Sequence, residues 1–133
     1  DLKKSYNIKN LHKIANKNFP ILIFNALKKI FNKFNLKKQN LKKVHYYRQR
    51  KPEDSFLNFK KMNFSQIDCF VRALQKPYPN SFFIYKNYRY NIIKIVKSKI
   101  KLNPGEIIIK NKKIYMGCKR NTINVIKYKK LRC

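Results

Sequence analysis

Residues 81–96 read SFFIYKNYRYNIIKIV, and this stretch decides the fold class. Aromatic and β-branched side chains, which favour strands, fill it on both sides of a Lys-Asn turn. Tyr88, Tyr90 and Ile92 share one alternating face, and at Ile93 the apolar residues change to the other face. The stretch therefore predicts two antiparallel strands with a β-bulge near Ile92.

Three more runs of the same kind follow, at residues 106–110, 113–118 and 122–128, and turn dipeptides separate them. A helix precedes the strands, where Ser65 and Asp68 match a capping box with Ser65 as the N-cap. One helix followed by five short strands predicts an α+β domain. We expect a small OB-like antiparallel β-barrel over residues 63–133.

The N-terminal part of the chain shows a helical period. Apolar residues recur three or four apart from Ile8 to Phe34, and Asn7 is placed to cap the start. Pro20 removes a backbone donor, which predicts two helical pieces or one bent helix. The consecutive apolar residues 21–24 exceed what one helix face buries, so we expect a missing partner domain. A lysine-rich, ordered but irregular linker is predicted over residues 35–62.

Composition favours a polyanionic partner, although a second explanation stays open. The formal net charge is +29, which attracts nucleic acid or anionic membranes. However, the chain has 28 Lys against six Arg, and Asn, Ile, Tyr and Phe are plentiful while Gly is nearly absent. These residues have A- and T-rich codons, so drift in an AT-rich genome raises the lysine content without selection for binding.

The sequence predicts a cytoplasmic protein with no membrane partner, because it lacks a long apolar run and a signal peptide. It opens on Asp1 rather than Met, from which we expect an upstream portion. Cys69, Cys118 and Cys133 are widely spaced, and neither histidine has a second ligand at helical spacing. We therefore predict no metal site and free thiols.

The ordered series of motifs resembles one known family. YYRQRKPEDSFLNF, the helix FVRAL, PYPNSFFIYKNYRYNIIK and NPGEIIIKNKKIYMGC together resemble the C-terminal region of formyltetrahydrofolate-dependent formyltransferases. That family includes methionyl-tRNA formyltransferase and the sugar-nucleotide N-formyltransferases. The resemblance covers roughly residues 44–128 and implies that residues 1–34 end a catalytic domain. The RKPEDS and PYPN segments are more similar to the sugar-modifying members.

The resemblance also implies where the chemistry lies. The family's catalytic Asn, His and Asp belong to its N-terminal domain, and this chain has no Asn-x-His segment, so no catalytic residue is assigned. It implies 10-formyltetrahydrofolate as the donor of the parent enzyme, with none bound by this chain. The expected partners are a missing N-terminal formyltransferase domain and an acceptor, either tRNA or a sugar nucleotide.

Arginines retained in a lysine-rich chain are informative, because lysine does not replace a planar two-pronged contact. We predict that Glu53 and Asp54 pair with Arg50 or Arg72 at the domain junction. A direct role for Asp54 or the arginines in contacting an anionic acceptor is the alternative. The candidate residues for the junction or for the acceptor are Arg48, Arg50, Glu53, Asp54 and Arg72.

A different class of function stays open: a free-standing basic RNA-binding protein with an OB-like fold, of the ribosomal type. Tyrosines interleaved with Lys or Arg on short strands stack on bases in such proteins, although they are also common in cores. The candidate nucleic-acid contacts are Lys86, Arg89, Tyr90, Lys112 and Lys113.

Overall fold

The computed structural model describes residues 3, 5–33 and 37–132, and it divides the chain into two compact units. The smaller unit is Asn10–Arg50. The larger unit combines the residues up to Lys9 with those from Lys51 onward. The segment that precedes the predicted barrel, from Lys51 on, therefore belongs to the same unit as the strands.

The larger unit is built around a five-stranded antiparallel sheet. Its strands are β1 (Phe82–Tyr85), β2 (Tyr88–Ser98), β3 (Ile107–Lys110), β4 (Lys113–Gly117) and β5 (Thr122–Arg132). The strand order is β1-β2-β5-β4-β3, and every neighbouring pair is antiparallel. The sheet curls into a half-barrel, which confirms the predicted α+β, OB-like fold class.

Two tight hairpins set the ends of the short strands. Lys86 and Asn87 join β1 to β2 with φ angles of 47° and 61°, and Asn111 and Lys112 join β3 to β4 with 50° and 58°. Two consecutive residues with positive φ are typical of the hairpin turns whose twist matches that of the strands. The Lys-Asn and Asn-Lys dipeptides expected as turns are therefore the turns of these two hairpins.

The predicted bulge lies in β2, where the pairing with β5 shifts register on both sides of Lys94. Ile92 and Ile95 have opposite parity, yet both are buried. The extra residue between them rotates the strand so that both side chains reach the core. This confirms the prediction of a bulge near Ile92.

The core lies between the curled sheet and α2 (Phe64–Ala73). Tyr90 stacks on Phe83 with ring centroids 5.0 Å apart and planes within 8°. α2 contributes Ile67 and Val71. Further core side chains from the sheet and from the segment before α2 are Leu57, Ile92, Ile114, Met116, Ile123 and Val125.

The start of α2 differs from the prediction by two residues. Asn63 is the N-cap: its Oδ1 accepts from the Gln66 backbone at 3.0 Å, and Gln66 Oε1 accepts from the Asn63 backbone at 2.9 Å. The predicted box of Ser65 and Asp68 is therefore wrong. Both sets of residues fit the local pattern, and the earlier one also frees Asp68 for a contact within the helix.

The helix α1 (Ile8–Phe31) runs through Pro20 without interruption, so of the two predicted alternatives the structure has one helix rather than two helical pieces. Proline removes one helical hydrogen bond, and the remaining bonds hold the helix together. The expected extension to Phe34 lies outside the described residues. None of the described residues of α1 is buried. Its most exposed large apolar side chains are Phe19, Ile21, Leu22, Ile23, Phe24, Ile30 and Phe31.

Candidate functional site

Residues 51–57, here called the junction loop, are held firmly in the larger unit. A 3-10 turn spans Pro52–Ser55, and Asp54 Oδ2 accepts a hydrogen bond from the Lys51 backbone at 2.8 Å. The Leu57 N–H donates to the Phe82 carbonyl at 2.7 Å, and the Leu57 side chain is wholly buried. The loop is thus fixed to the edge of β1 and to the core.

Arg72, one of the two arginines predicted to pair with Glu53 and Asp54, bonds other groups, and the pairing of these acids with Arg50 stays a prediction. Its Nε donates to Asp68 Oδ2 at 2.8 Å, one turn earlier on α2. Its Nη1 donates to the carbonyl of Tyr6. Because Asp68 lies four residues from Arg72 on a helix, the two side chains meet without any help from the loop. Arg72 therefore fastens the segment before α1 to α2.

The other predicted junction residues are distributed over both units. Arg48 and Arg50 are exposed in the smaller unit, where Arg48 Nη1 donates to the Gln49 carbonyl at 3.2 Å. Glu53 is exposed in the junction loop, and Asp54 is half-buried there. The boundary between the units falls directly after Arg50.

The predicted nucleic-acid contacts of β1 and β2 engage the protein itself. Tyr90 is only 5% exposed, so little of its ring is open to a base, and its role as a nucleic-acid contact stays a prediction. The Arg89 guanidinium lies 3.7 Å from the Phe82 ring centroid, and the Lys86 ammonium lies 5.6 Å from that of Tyr85. Such cation–π contacts hold the Arg89 guanidinium and the Lys86 ammonium against aromatic rings of the sheet.

Lys112 and Lys113, the other two candidates, are exposed at the β3–β4 hairpin. The Lys112 carbonyl accepts a hydrogen bond from the Tyr128 hydroxyl at 3.3 Å. Among the described residues, neither lysine lines either of the two cavities described next.

Two adjoining cavities lie beside α2 on the larger unit. One, of about 400 Å³, extends from Ser5 to the bulge of β2, and the other, of about 440 Å³, continues past the end of α2. Gln75, Ile93 and Lys127 line both cavities, so the two adjoin, and the pair is here called a groove. Gln75 Nε2 donates to the Ile93 carbonyl at 3.2 Å, which ties the end of α2 to the bulged strand.

Cations from four parts of the chain line this groove. Residues 127 and 129 alternate along β5 and therefore point to the same side of the sheet. Lys9 comes from the first turn of α1, Lys76 follows α2, and Lys94 lies in the bulge of β2. We call the groove the lysine groove, after Lys9, Lys76, Lys94, Lys127 and Lys129. These residues were not predicted from the sequence, in which the alternation of two lysines on β5 is the one local signal.

The residues present do not fit a formyl-folate reaction centre within either unit. His12 and His45 belong to the smaller unit, whose sequence contains no Asp or Glu, and the larger unit contains all five acids and no histidine. Within the described part of the chain, no three His, Cys, Asp or Glu side chains come together as metal ligands do. Cys69 and Cys118 are free thiols, and Cys133 lies outside the described residues.

Neither described helix has the length and apolar character needed to cross a membrane.

Comparison with known proteins identifies the family. No curated protein sequence matches the chain. A crystal structure of a HypX variant from Aquifex aeolicus is similar, with a TM-score of 0.50 and 14% identity. That match covers 83% of this chain and 21% of the HypX chain, and at this identity it concerns the fold alone. A family model described as "Formyl transferase, C-terminal domain" matches residues 49–132, which include the junction loop, α2 and all five strands. The chain therefore belongs to the family of formyl transferase C-terminal domains.

Proposed function

We propose that this chain is the non-catalytic, C-terminal part of an enzyme that transfers a formyl group from 10-formyltetrahydrofolate to an amine acceptor. Its role is to dock or position the acceptor. The observation that carries the proposal is the family match over residues 49–132.

The exposed surface of α1 supports an N-terminal formyltransferase domain as the partner. Phe24 is 67% exposed and Phe31 is 79% exposed, and large apolar side chains between them are also open to water. Contiguous apolar surface of this kind marks interaction sites in folded proteins. The helix has no acidic residue and several lysines, so a partner with an acidic rim around an apolar surface complements it.

The junction loop supports a positioning role. Its backbone is held by Asp54, and its Leu57 anchors it in the core. Catalysis requires the acceptor to be held to within about 1 Å, and a loop with a fixed backbone meets that demand better than a mobile one. The loop lies at the start of the family match, next to the boundary between the two units.

The acceptor is either a tRNA or a sugar nucleotide. The sugar nucleotide is favoured by the similarity of the RKPEDS and PYPN segments to those of the sugar-modifying members. The competing interpretation, a free-standing RNA-binding protein, is weakened by the burial of Tyr90.

A domain replacement tests the proposal. Residues 1–133 are placed after the catalytic domain of an active formyltransferase, in the position of its own C-terminal domain. We expect this chimera to have an acceptor kcat/KM at least about tenfold above that of the catalytic domain alone, because positioning lowers the barrier. The control fusion ends at residue 50, so it keeps α1 and lacks the larger unit.

Equal kcat/KM values for the chimera and the control fusion would contradict the positioning role. A gain that appears only in the chimera would assign the effect to the larger unit rather than to α1.

A further inference from the structure

Lysines make up a large share of the lining of the lysine groove. Lysine provides four of the eight residues that line its larger cavity, against 28 of 133 residues in the chain. None of those eight described residues is acidic. The described residues of the larger cavity therefore present cations and no carboxylate to a ligand, whatever raised the lysine content of the chain.

The groove also holds two like charges at adjacent positions. Lys94 on β2 pairs in register with Lys127 on β5, and both line the smaller cavity. Like charges directly opposite each other on neighbouring strands destabilise a sheet. Of the described residues lining that cavity, the one carboxylate is Asp68, whose Oδ2 already accepts from Arg72. An anion between the two lysines would relieve their repulsion.

Neutral hydrogen-bond donors complete the lining. The amide side chains of Gln75, Asn80 and Asn91 line the larger cavity among the lysines. Asn91 pairs in register with Lys129, so an amide and an ammonium lie side by side across the two strands. A phosphate group offers several acceptor oxygens and forms its strongest hydrogen bonds with charged donors.

We propose that the lysine groove binds a ligand with two or more phosphate groups. The cations line two adjoining cavities, with volumes of about 400 and 440 Å³, so successive phosphates can occupy them in turn. Cavities of this size suit a nucleotide-sized ligand. The phosphates can come from a nucleoside diphosphate, as in a sugar nucleotide, or from an RNA backbone. That the ligand is the formyl acceptor rests on the proposed function, whereas phosphate binding rests on the groove alone.

Direct binding measurements on the 133-residue chain test the inference without any formyl transfer. The probes are uridine diphosphate, followed by calorimetry, and a fluorescent single-stranded oligoribonucleotide, followed by anisotropy, both at physiological ionic strength. The groove variant is the double substitution Lys127→Gln and Lys129→Gln. The matched control, Lys112→Gln with Lys113→Gln, removes the same charge from a hairpin outside the groove.

We expect the groove variant to lose about tenfold or more in affinity for at least one probe, because two charged contacts to phosphate are removed. The control variant should stay within about threefold of the unmodified chain, since it removes only long-range attraction that salt screens. Selective loss for uridine diphosphate would identify a nucleotide, and selective loss for the oligoribonucleotide would identify an RNA backbone.

Equal losses in the groove and control variants would overturn the inference, because binding would then reflect diffuse charge. So would the failure of the unmodified chain to bind either probe. Lys76→Gln, in the segment after α2, provides a second groove variant that leaves the sheet untouched. The thermal midpoint of each variant checks its folding. Selective phosphate binding together with failure of the chimera described above would keep the groove and reject the acceptor-positioning role.

Discussion

The substitution Gly117→Ala probes the closest backbone approach in the half-barrel. A Cβ atom at residue 117 would lie 1.9 Å from the Asn103 carbonyl oxygen and 3.1 Å from that of Leu102. A carbon and a carbonyl oxygen normally stay about 3.3 Å or more apart. The segment before β3 must therefore move by more than about 1 Å to admit one methyl group.

The expected loss of stability follows from the hydrogen bonds that this movement breaks. The Gly117 carbonyl accepts from the Gly105 N–H at 2.8 Å, and the Gly117 N–H donates to the Glu106 carbonyl at 2.9 Å. Each bond contributes about 1 kcal/mol. Overpacking at a buried site adds about 1–3 kcal/mol. We therefore expect the free energy of unfolding to fall by about 3–5 kcal/mol, and the thermal midpoint to fall by at least about 12 °C in a domain of this size.

Urea denaturation followed by circular dichroism measures this change, with Gly105→Ala as the comparison. Gly105 has a φ of +98°, and the nearest atom to an added Cβ is the flexible Lys60 side chain, whose Cδ lies 3.2 Å away. Only backbone strain opposes that substitution, at a cost of about 1–2 kcal/mol. If Gly117→Ala lowered the free energy of unfolding no more than Gly105→Ala, the close backbone approach at residue 117 would not limit stability as argued.

Three further substitutions test the junction loop, the contacts of Arg72 and the exposed surface of α1. Leu57→Ala should lower the free energy of unfolding by about 2–5 kcal/mol in urea titrations, because the side chain is wholly buried; a loss below about 0.5 kcal/mol would show that the junction loop is not part of the folded unit. Arg72→Lys should cost about 1 kcal/mol in the same titration, since lysine cannot bond both Asp68 and the Tyr6 carbonyl in the same geometry; equal stability would remove the fastening role. Phe24→Asn, at an exposed position of α1, should reduce self-association of the 133-residue chain in sedimentation velocity, because it removes exposed apolar surface. If the unmodified chain is monomeric at high micromolar concentration, the exposed surface of α1 no longer argues for a partner domain.

The strands and their turns were predictable because their signals are local. Alternation of apolar side chains, the Lys-Asn and Asn-Lys turns and the change of face at Ile93 all lie within a few residues. The bulge confirms that a parity change in a continuous run reports an extra residue in the strand rather than its end.

The helix start was not predictable from the same kind of signal. Asn63 with Gln66 and Ser65 with Asp68 are both acceptable capping boxes. In the structure Asn63 and Gln66 form the box, and Asp68 bonds Arg72, four residues later on the same helix, instead of capping it. That contact also explains why the acidic pair of the junction loop is not the partner of Arg72.

The lysine groove required the tertiary structure. Lys9, Lys76 and Lys127 are far apart in sequence and come together only when β5 lies beside β2 and α2 packs on the sheet. In a chain with 28 lysines, the alternation of Lys127 and Lys129 along β5 does not by itself distinguish lysines that line a groove from those that do not. The predicted contacts at Lys112 and Lys113 instead lie on a hairpin outside the groove.

We propose that this chain is a non-catalytic part that positions an acceptor for a separate formyltransferase domain. One assay tests this proposal directly. Formyl transfer from 10-formyltetrahydrofolate to an amine acceptor is measured for residues 1–133 alone, for the chimera with a catalytic domain and for the control fusion that ends at residue 50. We expect no turnover by the chain alone and a higher acceptor kcat/KM for the chimera than for the control fusion. Turnover by residues 1–133 alone would contradict the assignment of this chain as a non-catalytic part.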